Sequence, residues 1–149
     1  PYADLLVCSE EFALKLTGLA DAEAAVRKIY DTYHPAVAGA TMGVRGSMTF
    51  DGTHFVKLPA FPVEKVVDTT GCGDLYHTGF AIRWIETHDL RESMRFASAV
   101  SALKCRGLSG RYFLSSMTSV SSGRFISRNG MRRLWPRPRL TTCAVPPCR

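Results

Sequence analysis

Two carboxylates flank a loop almost bare of side chains in "DTTGCGD", Asp68 to Asp74, and an apolar run follows at once. Glycines at 71 and 73 let the backbone approach a ligand and turn successive N–H groups toward one point. A helix opening near Gly73 would add its positive end. Such a loop suits an anion, phosphate above all. A carboxylate at its lip, Asp74, would repel a phosphate that merely binds. It suits a phosphoryl group in transfer, where the carboxylate orients and deprotonates an attacking hydroxyl while the N–H groups take up charge. A glycine turn capped by an aspartate would use the same residues for structure alone, and spacing does not separate the two readings.

The elements that must hold this loop are legible as periodicity. Asp4 to Cys8 reads as a buried strand, and the acids after it suit a helix start. Ala22, Ala25, Val26, Ile29, Tyr30 and Tyr33 share one helical face, with Asp21 placed to cap and Pro35 beyond the end. Ala36 to Thr41 reads as a second buried strand ending in the turn "TMGVRG". "SMTFDGTHFVKL" alternates on both sides of Asp51-Gly52, a dipeptide favoured in two-residue hairpins. A further extended segment, Phe61 to Val67, leads into the loop. Beyond it, Tyr76, Phe80 and Trp84 mark one helix face, and Asp89 with Glu92 resembles a capping box for a helix through about Lys104. This order predicts an α/β fold with a mostly parallel central sheet. Ligands bind beyond the carboxyl ends of such strands, where both glycine-rich turns are expected.

Composition bounds the rest. The 149 residues are 46% hydrophobic and can hold one ordinary domain. No run of about 18 apolar residues is present, and "PYADLLVCSEEF" lacks the layout of a secretion signal, so a cytoplasmic protein is the default expectation. The cysteines, Cys8, Cys72, Cys105, Cys143 and Cys148, show no zinc-type pair spacing and are expected as reduced thiols. His34, His54, His77 and His88 are scattered. The net charge of +6 belongs to the carboxyl-terminal tail: Arg111 to Arg149 holds eight arginines and no acid, and acids outnumber bases by two in the rest.

"DTTGCGDLYHTGF" closely resembles the signature of the ribokinase, or PfkB, family of carbohydrate kinases, D-T-x-G-A-G-D followed by an aromatic residue and G-F. "DLLVCSEEFALKLTG", "TMGVRGSMTFDG" and "RFASAVSALKCRGLSGR" resemble further family segments in the same order. The resemblance covers Asp4 to about Arg111 and implies a three-layer ribokinase-like fold. It begins in the family's second half, so residues 1–111 are expected to be the carboxyl-terminal half of such a domain. The implied activity is phosphoryl transfer from ATP, with Mg2+, to a sugar hydroxyl. Asp74 is implied as catalytic base and sugar ligand, and Gly71, Cys72 and Gly73 as the anion hole. Thr41, Gly43, Arg45 and Gly46 are implied as the nucleotide-binding turn, and Ser98 as a neighbour of the adenine. Asp68 and the Thr70 carbonyl match positions that hold a monovalent cation such as K+. The full-length form is expected to dimerise in some members. Ser9 and Phe12 depart from the family's N-x-x-E, which helps arrange magnesium, and Glu10 or Glu11 would have to compensate.

Residues 112–149 match nothing in the family. They lack helical periodicity and read as a disordered or frame-shifted tail, the functional alternative being an arginine-rich arm for nucleic acid with Phe125 or Trp135 as stacking partners. A nucleotide-binding remnant without catalysis is the other alternative to a working kinase.

Overall fold

A computed structural model describes residues 3–108, which lie in one compact unit. The expected tail, and with it Cys143 and Cys148, lies outside the described residues. Four strands, β1 (Leu5–Ser9), β2 (Val37–Thr41), β3 (Ser47–Phe50) and β4 (Phe55–Leu58), form one sheet in chain order. β1 and β2 are parallel, with Ser9 opposite Thr41, so their carboxyl ends share one edge. The other two pairings are antiparallel, and over the described residues the sheet is therefore mixed rather than mostly parallel. The cause is connectivity. A crossover through α1 (Glu10–Thr17) and α2 (Ala22–Tyr33) separates β1 from β2, whereas short turns join the later strands.

Local chemistry sets the helix starts. The Ser9 hydroxyl accepts from Phe12 N at 3.2 Å, the Asp21 carboxylate from Ala24 N at 2.7 Å, and the Asp89 carboxylate from Glu92 N at 2.9 Å. Each satisfies a first-turn donor that the helix itself leaves unpaired. The last of these opens α4 (Leu90–Cys105), which packs along α3 (Cys72–Thr87). A Cβ on Gly79 of α3 would stand 3.2 Å from Ala97 Cα, so the missing side chain is what permits this close crossing.

Period-two alternation then sorts the strand residues into two cores. Ala38, Ala40, Met48 and Phe50 pack with Ala13, Ala25, Val26 and Ile29 under α1 and α2. Val37, Leu5, Val7, Val56 and Leu58 turn the other way, against Tyr76, Phe80, Met94 and Ala97 of α3 and α4. Helices thus cover both faces of the sheet, giving the three layers expected. Phe50, fully buried, anchors the first core: its ring stacks on Phe55 at 4.5 Å, meets Tyr30 edge-on at 5.1 Å, and carries the Arg27 guanidinium over its face at 4.6 Å. No helix among the described residues is long and apolar enough to cross a membrane.

Two expectations change in detail. Phe50 pairs with Phe55, so the hairpin loop holds Asp51, Gly52, Thr53 and His54 rather than two residues. The Asp51 carboxylate accepts from the N–H groups of Thr53 and His54 at 2.8 and 2.7 Å, which stabilises the longer loop and lowers the Asp51 pKa. The segment from Phe61 to Val67 joins no strand. Pro62 lacks the ladder donor, and Phe61 N and Val67 N donate instead to Ser98 Oγ (3.0 Å) and the Cys105 carbonyl (2.7 Å) of α4.

Candidate active site

The turn after β2 and the start of α3 are tied to each other through one buried hydrogen bond. Thr41 ends β2, Gly43–Arg45 forms a single 3-10 turn, and Met42 N donates to the Gly46 carbonyl at 2.8 Å to close it. Ser47 follows and opens β3. Its hydroxyl accepts from the Tyr76 hydroxyl at 2.7 Å, and Tyr76 lies two residues beyond Asp74 on α3. Burial pushes the tyrosine up to about 12, so it stays a donor throughout the neutral range. Tyr76→Phe strands the buried Ser47 hydroxyl and is expected to cost about 1–3 kcal/mol in urea unfolding. A loss inside the experimental error would mean that this bond does not tie the two turns.

The loop itself is ordered by its own backbone. Gly71 caps α3 at φ 76°, Cys72 N donates to the Thr69 carbonyl at 3.1 Å, and Leu75 N donates to the Gly71 carbonyl at 3.1 Å. The Cys72 N–H is therefore closed within the turn. Gly73 and Asp74 are the first-turn residues whose N–H groups have no acceptor within the helix. A Cβ on Gly73 would meet nothing within 4 Å, so the position its side chain would take is open. Asp74 is exposed, and among the described residues its carboxylate has no hydrogen-bond partner. A Cβ on Gly71 would stand 3.9 Å from Asp74 Oδ2, so the carboxylate lies on the side of Gly71 that a side chain would occupy.

The last turns of α4 clamp this loop, a role absent from the sequence reading. Ser101 Oγ donates to the Cys72 carbonyl at 3.0 Å, Val67 N donates to the Cys105 carbonyl, and Lys104 Nζ reaches Asp68 Oδ2 at 2.8 Å. The ammonium, with the Thr70 N–H, holds the Asp68 carboxyl well below the usual carboxylate range, and Asp68 raises the Lys104 ammonium in turn. Cys72 Sγ lies 2.9 Å from Cys105 Sγ. Burial first, and then the Cys105 thiol, push Cys72 up to about 11. It remains neutral at ordinary pH and brings no negative charge to the Gly71–Asp74 loop. Ser98, Ser101, Lys104 and Cys105 lie at three- and four-residue spacing, a polar stripe beside Ala97 and Val100 that was the available signal.

Ser98 also lines a cleft of about 300 Å³ walled by Leu58, Pro59, Ala60, Phe61 and Pro62, with Arg91 and Arg95 at its polar side. At the carboxyl edge of β1 and β2, Arg45 forms an ion pair with Glu10, and Lys15 binds Glu11 at 2.7 Å. Both acids that could replace the family's magnesium-arranging glutamate are thus paired with cations. Ser9 Oγ is spent on capping α1, and Phe12 presents an exposed ring. In this turn neither Glu10 nor Glu11 stands without a cation partner.

Residues 1–116 match the model of the pfkB family carbohydrate kinases. The chain is 39% identical over 70 residues to a ribokinase of Bacillus subtilis (strain 168), a stretch covering 47% of this chain and 24% of that protein. It is 29% identical over 119 residues to an ATP-dependent 6-phosphofructokinase of Thermoanaerobacterium thermosaccharolyticum, covering 80% and 36% respectively. Its fold matches the structure of Arabidopsis thaliana ribokinase complexed with ribose and ATP at TM-score 0.66 and 26% identity, over 75% of this chain and 40% of that one. The chain spans about a quarter to just over a third of the length of these curated relatives. A sequence signature, a three-layer fold and a family match over most of the residues agree, and the chain belongs to the pfkB family of carbohydrate kinases.

Proposed function

We propose that this chain carries the phosphoryl-transfer centre of an ATP-dependent sugar kinase. The observation that carries the reading is the Asp74 carboxylate beside Gly71 at the start of α3, on a helix joined through Tyr76 to the strand that leaves the Thr41–Gly46 turn. Asp74 binds the sugar hydroxyl and takes its proton as that oxygen attacks the terminal phosphorus of ATP. The bond to the bridging oxygen breaks, and ADP departs. The N–H groups of Gly73 and Asp74 and the positive end of α3 take up charge on the phosphoryl oxygens, while the Cys72 N–H, bonded to the Thr69 carbonyl, is not available for this. Thr41, Gly43, Arg45 and Gly46 hold the nucleotide phosphates, with Glu10 fixing Arg45 through its ion pair. The cleft beside Ser98 takes the adenine. With both carboxylates of the Ser9–Phe12 turn paired to cations, the nucleotide is taken as its magnesium complex, whose ion offsets phosphate charge.

Nucleotide binding tests this reading on the chain itself. Calorimetric titration with the magnesium complex of a non-hydrolysable ATP analogue is expected to give saturable binding between about 1 μM and 1 mM, the ordinary range for enzyme substrates. Gly73→Ala fills the open side-chain position and is expected to weaken binding at least about tenfold without lowering Tm, since alanine suits a helix better than glycine. An absence of binding, or binding indifferent to Gly73→Ala, would count against the centre proposed.

A further inference from the structure

The cation implied beside the anion loop meets an obstacle in this chain's own residues. Asp68 has three oxygens with which to hold an ion. Oδ1 accepts from Thr70 N at 2.9 Å. Oδ2 and the backbone carbonyl both receive Lys104 Nζ, at 2.8 and 3.3 Å. The Lys104 side chain is only 4% exposed, and its ammonium is held at Asp68 rather than standing free in solvent. A potassium ion touching the same oxygens would stand against a buried positive charge. As built, the Asp68 oxygens do not fit a free monovalent cation.

We propose that the Lys104 ammonium is itself the resident cation of this loop, a positioning residue that stands where a monovalent ion would otherwise be bound. Its place in the fold supports this role. The ammonium joins α4 to the residue that opens the loop, while Ser101 holds the Cys72 carbonyl and the Cys105 carbonyl holds Val67 N. Three successive contacts from one helix end thereby fix residues 67 to 72, the segment from which α3 starts. A tethered charge cannot dissociate. The order of the anion loop is then independent of the salt in which the protein is dissolved, beyond ordinary screening. The link to nucleotide affinity rests on the kinase reading above, whereas the link to loop order does not.

Thermal unfolding in potassium chloride and in choline chloride at equal ionic strength tests the proposal, with wild-type, Lys104→Met and Lys104→Ala chains. The wild-type Tm is expected to be the same in both salts. Lys104→Met keeps the stem and removes the charge, and it is expected to lower Tm by several degrees in both. Lys104→Ala opens the space, and potassium is expected to raise its Tm above the choline value because an ion that binds only the folded state stabilises it. With the nucleotide analogue as a second readout, Lys104→Ala binds at least about tenfold more weakly in choline, and potassium restores the affinity. A wild-type Tm that rises with potassium would overturn the proposal, as would an unchanged Tm in Lys104→Met. A Lys104→Ala chain that potassium does not stabilise would reduce the contact to an ordinary ion pair and overturn its identification as a cation seat. Should wild type bind no nucleotide at all, the kinase reading fails while the Tm comparisons still decide the role of Lys104.

Discussion

Asp74→Asn is expected to lower turnover by about two to four orders of magnitude, the range over which a positioned general base contributes. The assay uses a chimera in which residues 3–108 replace the matching segment of the Arabidopsis ribokinase, so that the rest of a working enzyme is present. Asparagine has the shape of aspartate, and the carboxylate it replaces is exposed and makes no hydrogen bond among the described residues, so neither fold nor loop should change. The Asp74 main chain stays useful as well, since its carbonyl accepts from Thr78 Oγ1 at 2.8 Å inside α3. The loss should therefore fall on kcat and leave nucleotide affinity close to that of the parent. That split distinguishes a lost proton acceptor from a damaged binding site. Turnover near the parental rate would remove Asp74 from the role of base. An equal loss of nucleotide affinity would place it in phosphate binding instead.

The parts of the fold that were legible in the sequence are those fixed by local physics. α2, α3 and α4 follow from apolar spacing and from Asp21 and Asp89 as caps, and each carboxylate does accept the first-turn N–H expected of it. The sides on which strand residues fall follow from alternation alone. What was not legible depends on contacts distant in sequence. Gly52 promised a tight turn, but a Cβ there would meet the Tyr30 hydroxyl at 2.3 Å, so packing against α2 also governs that residue. Phe61 to Val67 is apolar enough for a strand, yet its donors are satisfied by a helix that lies some 40 residues further on. The same holds at the site. Asp68 and Asp74 could be picked out because both sit in one short motif. Lys104 and Ser101 belong to the same site but reach it only through the packing of α4 on α3, and the crossing depends on the missing side chain at Gly79.

Gly46→Ala is expected to be the most damaging single-methyl change in the turn after β2. Gly46 sits at φ 97°, ψ −134°, a region essentially closed to residues with a Cβ, at a cost of about 1–3 kcal/mol. A Cβ there would also lie 2.0 Å from the Leu58 carbonyl oxygen and 2.7 Å from Ala60 N. These are backbone atoms that no rotamer change can move, and overpacking of this kind adds about 1–3 kcal/mol more. Relief requires the end of β4 to move away from Ser47, its partner in the ladder. That movement would shift the acceptor of Tyr76 and so pull on the start of α3. Stability and nucleotide affinity should thus fall together, with Tm lower by roughly 10–20 °C for a domain of this size. Gly18→Ala supplies the comparison. Gly18 also has a positive φ, 70°, but a Cβ there meets nothing within 4 Å, so only the conformational cost of about 1–2 kcal/mol applies and nucleotide affinity should not change. If the two variants lose the same stability, the close approach of Gly46 to Leu58 is wrong. If Gly46→Ala loses stability yet binds nucleotide normally, the turn after β2 is not where the phosphates are held.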